Sequence, residues 1–360
     1  MRPPFGRSFL PDFADIHPEI AHVMATAPLH ADDAGITTLL ARLERPLRHL
    51  FRTTRPVLIG SSGVEMIEAA VRNGVGDRLL AVVGGRDGEQ FARIAEACGK
   101  EVVRAFVPPG RAIEAQHLAR FLDGPDVDAV SIVHTERSTG ALAPLEGLAE
   151  VVRSREDILL LVDARGSLGG VPLELDLWQL DFVLAEGNGA LGLPPGLALA
   201  AASKRMTARA AGETGRGWLG DLARLEAGIR ERRVDPLPSL SLLYALDAQL
   251  ARIAASGGIE ARWGRHAELA GAVHSWAGHH SLPLVAMPGR RSATVSAIRL
   301  ASDQAEATAL AGLHAAGWTV AGSVEPGVPA VRIGHMGDVD AAELSALLEA
   351  LLAAIGVARR

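Results

Sequence analysis

Short apolar runs alternate with amphipathic stretches through the middle of the chain. The runs are VLIG (57–60), LLAVV (79–83), EVVRAFV (101–107), DAVSIV (128–133), ILLLV (158–162), DFVLA (181–185) and LALAA (197–201). Most are rich in Val, Ile and Leu without regular polar alternation, the pattern of strands buried on both faces. Stretches with helical spacing, such as EMIEAAVRN (65–73) and GEQFARIAEAC (88–98), separate most of them. This alternation predicts a three-layer α/β/α domain around a seven-stranded, mostly parallel sheet. Ligands of such sheets gather beyond the carboxyl ends of the strands. The loops after residues 60, 83, 133, 162 and 185 are therefore expected to converge on one cleft.

The flanks carry a different pattern. Residues 14–52 read as two helices, while GETGRGWLGD (212–221) and RVDPLPS (233–239) read as loop and linker. Beyond them, 241–256 and 259–278 have long helical spacing. ATVSAIRL, WTVAG and AVRIG suggest a small sheet, and 340–355 a closing helix. The expected division is a large domain over 1–235, with its N-terminal segment, and a smaller α+β domain over 236–360.

Composition narrows the class of function. With 48% hydrophobic and 22% charged residues in 360, the chain has material for a large core and an ordinary polar surface, which excludes a disordered protein. A net charge of −6 leaves no basic excess for nucleic acid, and no apolar run nears the ~18–20 residues of a membrane span. A cytoplasmic location is the expectation, since the N-terminus has no signal-like apolar core. The single cysteine, Cys98, sits in a helical run and reads as a structural thiol. His266, His274, His279 and His280 lack the spacing that would set two imidazoles on one metal, so no metal site is assigned. Among 36 basic residues only Lys100 and Lys204 are lysines, so any lysine chemistry would have to use one of these two.

Residues 128–199 carry a dense set of motifs: His134-Thr-Glu-Arg-Ser-Thr-Gly140, Val162-Asp163-Ala-Arg-Gly-Ser-Leu-Gly-Gly170-Val-Pro172, and Ala190-Leu191 followed by Pro194-Pro195-Gly196. This stretch resembles the class V aminotransferases, pyridoxal-phosphate enzymes of fold type I that include alanine–glyoxylate and serine–pyruvate aminotransferases. Weaker agreement runs through His17-Pro18-Glu19, Ser62-Gly63 with Glu68-Ala69-Ala70, and Val331-Arg332-Ile333-Gly334. The resemblance implies the fold type I architecture over nearly the whole chain. It also implies a cleft with Asp163 at the pyridine-nitrogen position, Ser138 and Thr139 beside it, and Arg332 as the arginine for a substrate carboxylate.

Against the family pattern D-x-x-x-T-G-S-Q-K-A-L, this chain reads Asp181-Phe-Val-Leu-Ala-Glu-Gly-Asn-Gly-Ala-Leu191, which puts Gly189 where the imine-forming lysine would stand and Asn188 at the glutamine. Asp87 replaces the stacking aromatic residue, and Arg165 replaces a small residue under the ring. Ser62-x-x-Glu65 has capping-box spacing, which turns a carboxylate toward the helix N-terminus that the resemblance makes a phosphate cup. Several residues also have plain structural readings. Asp163 would pair with Arg165, with Glu186 as a further counter-charge; Ser138 and Thr139 would cap a turn; Arg332 would form a surface ion pair; and His134 would be a hydrogen-bonded structural histidine.

These features lead to the expectation of a non-catalytic homologue that binds a partner or a small ligand. The cleft candidates are Ser62, Gly63, Asp87, His134, Ser138, Thr139, Asp163, Arg165, Glu186, Asn188 and Arg332, with no catalytic lysine. No covalent cofactor is expected. The alternatives are an alanine/serine–glyoxylate type enzyme with non-covalent pyridoxal phosphate, or a cofactor-independent enzyme using the remaining cleft residues. The expected partners are a second copy or a related chain in a dimer and a small carboxylate ligand, with neither nucleic acid nor membrane.

Overall fold

The computed structural model describes residues 7–27, 34–235 and 238–356. All seven apolar runs form strands of a single sheet: β1 (Val57–Gly60), β2 (Arg78–Val83), β3 (Glu101–Phe106), β4 (Ala129–Val133), β5 (Leu159–Asp163), β6 (Phe182–Glu186) and β7 (Ala198–Ala202). Their spatial order is β1-β7-β6-β5-β4-β2-β3. Only β7 runs opposite to the other six strands. β5 is buried along its whole length, as a central strand between two helical layers must be. One layer includes helix Ala34–Phe51, whose Ile36, Leu39, Leu43, Leu47 and Leu50 recur at helical spacing and are all buried. The opposite layer includes helix Gly63–Gly74, through Met66, Ile67, Ala70 and Val71, and helix Arg86–Ala97, through Phe91, Ala92 and Ala95.

Strand direction decides where chemistry can gather. The carboxyl ends of β1, β2, β4, β5 and β6 lie at one edge of the sheet, because β1 and β6 both run opposite to β7. The two lysines lie at the other edge. Lys204 opens the helix that follows β7, and Lys100 donates from Nζ to the carbonyl of Gly76, just before β2.

Helices Leu240–Ala255 and Gly258–His279 match the long patterns read from the sequence. The first packs Leu242, Leu243, Leu246 and Leu250 into the core that also holds Ile59 and Leu199. A separate core forms around β8 (Val295–Arg299), β9 (Ala330–Gly334) and helix Ala341–Ala354, whose Leu344, Leu347, Leu348 and Leu351 meet Ile298, Val331 and Ile333. Each of these buried leucines contributes about 1.5–3 kcal/mol.

The small sheet differs from the expected arrangement. β8 and β9 pair antiparallel, but WTVAG does not complete a third strand with them. Its Trp318–Thr319 instead pairs in parallel with Arg7–Ser8, and only Ala321 bridges to Arg332. The reason is the buried ring of Phe9, which meets Trp318 edge-on at 5.8 Å and holds the N-terminal segment there. That segment then crosses to the cleft, where the backbone of Ala14 donates to the carbonyl of Asn188. Residues 213–221 form the expected loop; the linker at 233–239 includes Pro236 and Leu237, which lie outside the described residues.

No described helix is long and apolar enough to cross a membrane.

Candidate functional site

The turn after β1 leads directly into helix Gly63–Gly74. Ser62 is its N-cap, in extended conformation, and its hydroxyl accepts from the backbone of Glu65 at 3.2 Å. The Glu65 carboxylate folds back as the capping-box spacing predicts, but reaches Ser61, taking both its backbone N–H (3.0 Å) and its hydroxyl. A second carboxylate arrives from the end of β6: Glu186 Oε1 accepts the Gly63 N–H at 2.8 Å. Glycine is needed at 63, because a Cβ there would lie 2.4 Å from Cδ of Arg165 and 2.8 Å from the Glu186 oxygen.

Asp163 is the last residue of β5, and Arg165 lies two residues on, in the turn that follows. Arg165 Nε lies 3.0 and 2.9 Å from the two Asp163 oxygens, and Nη2 lies 2.7 Å from Oδ2. The Arg165 backbone N–H adds a further bond at 2.9 Å. Both residues are buried. The pairing of Asp163 with Arg165 follows the sequence reading, but Glu186 is not the second counter-charge. Its carboxylate is held at Gly63, and the next acid to Arg165 is Asp87, at 3.9 Å from Nη2.

Asp87 also differs in role from a residue exposed toward a ligand. It is buried in the first turn of helix Arg86–Ala97, where Arg137 grips it in a fork, Nε to Oδ2 at 2.9 Å and Nη2 to Oδ1 at 2.8 Å. The other face of Arg137 meets Asp12 at 2.6 Å, and Asp12 in turn lies 3.3 Å from Arg86. The result is one continuous file of charges, Arg86–Asp12–Arg137–Asp87–Arg165–Asp163, in which three guanidiniums balance three carboxylates. Burial opposes ionisation of Asp87, yet the guanidiniums of Arg137 and Arg165 outweigh it and hold this carboxyl well below the usual range.

Glu136 sits under the same helix start. Its carboxylate accepts the backbone N–H groups of Asp87 (3.1 Å) and Gly88 (3.2 Å) and the hydroxyl of Ser138 (2.7 Å). Gly85 must be glycine, since a Cβ there would come within 2.7 Å of the Glu136 side chain. Burial, and the charge on Asp87, push the Glu136 carboxyl up to about 7. A carboxyl that binds its proton more tightly in the folded state stabilises most below its unfolded value and less as pH rises through its folded one. The native protein should therefore lose stability relative to Glu136→Gln between about pH 4.5 and about 7, with a constant difference on either side. Thermal melts of both proteins across that window check it; a difference independent of pH would show that Glu136 stays ionised throughout.

The remaining candidates find partners within the chain. His134 is fully buried and hydrogen-bonded from Nδ1 to Ser167 Oγ at 2.9 Å, and burial lowers its pKa to about 3, leaving the ring neutral at physiological pH. Thr139 Oγ1 accepts the Ala141 N–H, and Asn188 Nδ2 donates to the Asp12 carbonyl. Arg332 is buried rather than a surface ion pair. It donates to the carbonyls of Gly322 (2.7 Å) and Arg137 (3.1 Å), and among the described residues no carboxylate forms an ion pair with it. Gly189 lies at the same edge of the sheet, its Cβ direction facing the Arg165 carbonyl at 3.1 Å.

Residues 76–228 match the family model for aminotransferase class-V. An uncharacterized aminotransferase of Methanocaldococcus jannaschii is 31% identical over 290 residues, which is 79% of this chain and 75% of that protein. This chain belongs to the class V aminotransferases. The (S)-ureidoglycine–glyoxylate transaminase of Bacillus subtilis is 28% identical over 289 residues, 73% of this chain and 69% of that one. Among solved structures, alanine–glyoxylate aminotransferase from Nostoc sp. superposes with a TM-score of 0.92 at 26% identity, covering 99% of this chain and 96% of that one. Class V aminotransferases are fold type I pyridoxal-phosphate proteins, and the seven-stranded sheet with its flanking helices is that fold.

The residues at this class V aminotransferase's sheet edge do not fit that cofactor. Arg165 engages both oxygens of Asp163, the acid that would face a pyridine nitrogen. Glu186 and Glu65 bring two negative side chains to the helix start where a phosphate dianion would need positive potential. Neither lysine of the chain is at this edge of the sheet.

Proposed function

We propose that this class V aminotransferase is a non-catalytic homologue that does not run Schiff-base chemistry and acts by binding a related chain or a small carboxylate. The observation that carries the reading is the pairing of Asp163 with Arg165, which commits both carboxylate oxygens of the family's pyridine-facing acid to an internal partner. An imine-forming lysine both anchors pyridoxal phosphate and shuttles protons, and loss of such an acid–base group costs on the order of 10²–10⁴ in rate by itself. The buried Arg332, whose guanidinium is bonded among the described residues only to carbonyl oxygens, supports a small carboxylate as ligand, because a guanidinium out of water favours a counter-charge.

The test is a direct assay of alanine–glyoxylate and serine–glyoxylate exchange, with pyridoxal phosphate titrated by its visible absorbance and by quenching of the five tryptophans. No turnover is expected from the native chain or from Gly189→Lys, since the single change restores an amine but leaves Arg165, Asp87 and Glu65 in place. Measurable exchange by either protein would overturn the reading.

The chain is proposed to work as a dimer, with itself or with a related chain, because the relatives it matches are covered across most of their length, including the segments that flank the cleft. Obligate interfaces of ~2,000–5,000 Å² survive loss of catalysis because they are part of the fold's own apolar burial. Sedimentation should show a dimer at micromolar protein; a stable monomer without co-purifying partner counts against it.

A further inference from the structure

The N-terminus of a helix following a strand is an anion site by construction, since its first N–H groups lack partners and its dipole favours negative charge. In helix Gly63–Gly74 two of these donors are already spent: the Gly63 N–H on Glu186 and the Glu65 N–H on the Ser62 hydroxyl. The chain even supplies the anion itself. Glu186 comes from β6, which is separated from β1 by β7, so its carboxylate spans the sheet edge to reach Gly63. Cδ of Arg165 lies against the same glycine, so that carboxylate and guanidinium stem close over the helix start together.

We propose that Glu186, backed by the stem of Arg165, is an internal plug in the anion site of this helix, and that it closes the cleft to phosphate-bearing ligands. This deepens the non-catalytic reading and rests on it. The site beneath the plug is latent: the helix dipole and the Gly63 N–H remain, and it is the Glu186 carboxylate that holds that N–H. Glu65 faces Ser61 and adds repulsion without occupying Gly63. An incoming phosphate would have to displace Glu186 and then sit beside two like charges.

The experiment measures the rise in melting temperature with inorganic phosphate, against chloride at matched ionic strength, for the native chain, Glu186→Ala, Glu186→Gln and Glu65→Gln. The native chain should show no saturable phosphate effect. Glu186→Ala should show one, with an apparent affinity at least about tenfold above the native value. Glu186→Gln should fall between, because its amide oxygen can still accept the Gly63 N–H but carries no charge. Glu65→Gln should stay near the native chain. Phosphate binding by the native chain as tight as that of Glu186→Ala overturns the plug, and so does a folded Glu186→Ala that gains nothing. If Glu186→Ala does not fold, Glu186→Gln decides: a gain supports the plug and no gain overturns it. The outcome separates from the transaminase assay. An inactive native chain with no gain in the Glu186 variants sinks the plug alone, while exchange activity in the native chain sinks the reading on which it rests.

Discussion

Asp163→Ala should lower stability by about 3–5 kcal/mol, while Asp163→Ala combined with Arg165→Leu should lose much less. Arg165 is buried with Nε and Nη2 bonded to Asp163, so deleting the acid leaves a desolvated guanidinium whose next carboxylate, Asp87, is 3.9 Å away. Removing both charges takes away the pair's attraction and its desolvation cost together. Denaturant melts of the native chain, the two single variants and the double variant give the coupling directly. Additive losses would mean that Arg165 reaches water when Asp163 is gone.

Asp87→Ala is expected to cost a similar amount at neutral pH, for a different reason. Asp87 is the junction of the charge file, gripped in a fork by Arg137 and within reach of Arg165, so its loss takes a carboxylate from two buried guanidiniums at once, leaving Arg137 with Asp12 alone and Arg165 with Asp163 alone. The effect should also depend on acid. A carboxyl held below its ordinary value stabilises fully above the unfolded value, here 3.8, and that contribution is lost as pH falls toward the folded one. The gap between native and Asp87→Ala should therefore be wide at neutral pH and narrow progressively below about pH 4. Urea midpoints at neutral and strongly acid pH test it; a gap unchanged by acid would show that the cost is packing and not charge.

The seven strands are legible in sequence because each is a short run dominated by apolar residues, and in all but the half-exposed edge strand Glu101–Phe106 burial on both faces leaves no other pattern. The reversed direction of Ala198–Ala202 is not, since strand sense leaves no local mark in a doubly buried run. Helix Asp303–Ala315 is faint for a related reason: it buries little beyond Ala309 and Leu313, and alanine carries a weak apolar stripe. At the site, Asp163 with Arg165 could be read because the partners are only two residues apart at a strand end. Arg137 could not. It stands as a spacer within the His134–Gly140 motif, and its partners Asp87 and Asp12 are distant in sequence. The target of Glu186 is a backbone N–H, a donor every residue but proline possesses, so no side-chain pattern announces it.

The path of the N-terminal segment has a consequence for how the molecule comes into being. Arg7–Ser8 pairs with Trp318–Thr319, Gly334 donates to the Phe9 carbonyl, and Asp12 sits on Arg137. Contacts so remote along the chain close late, because the intervening loop must first be ordered. During synthesis from the N-terminus, residues 7–15 leave the ribosome first and find their place only after residues 318–334 have followed. Until then the pairing with Trp318–Thr319 and the bond from Gly334, which anchor the segment leading to Asp12, cannot form in any nascent chain.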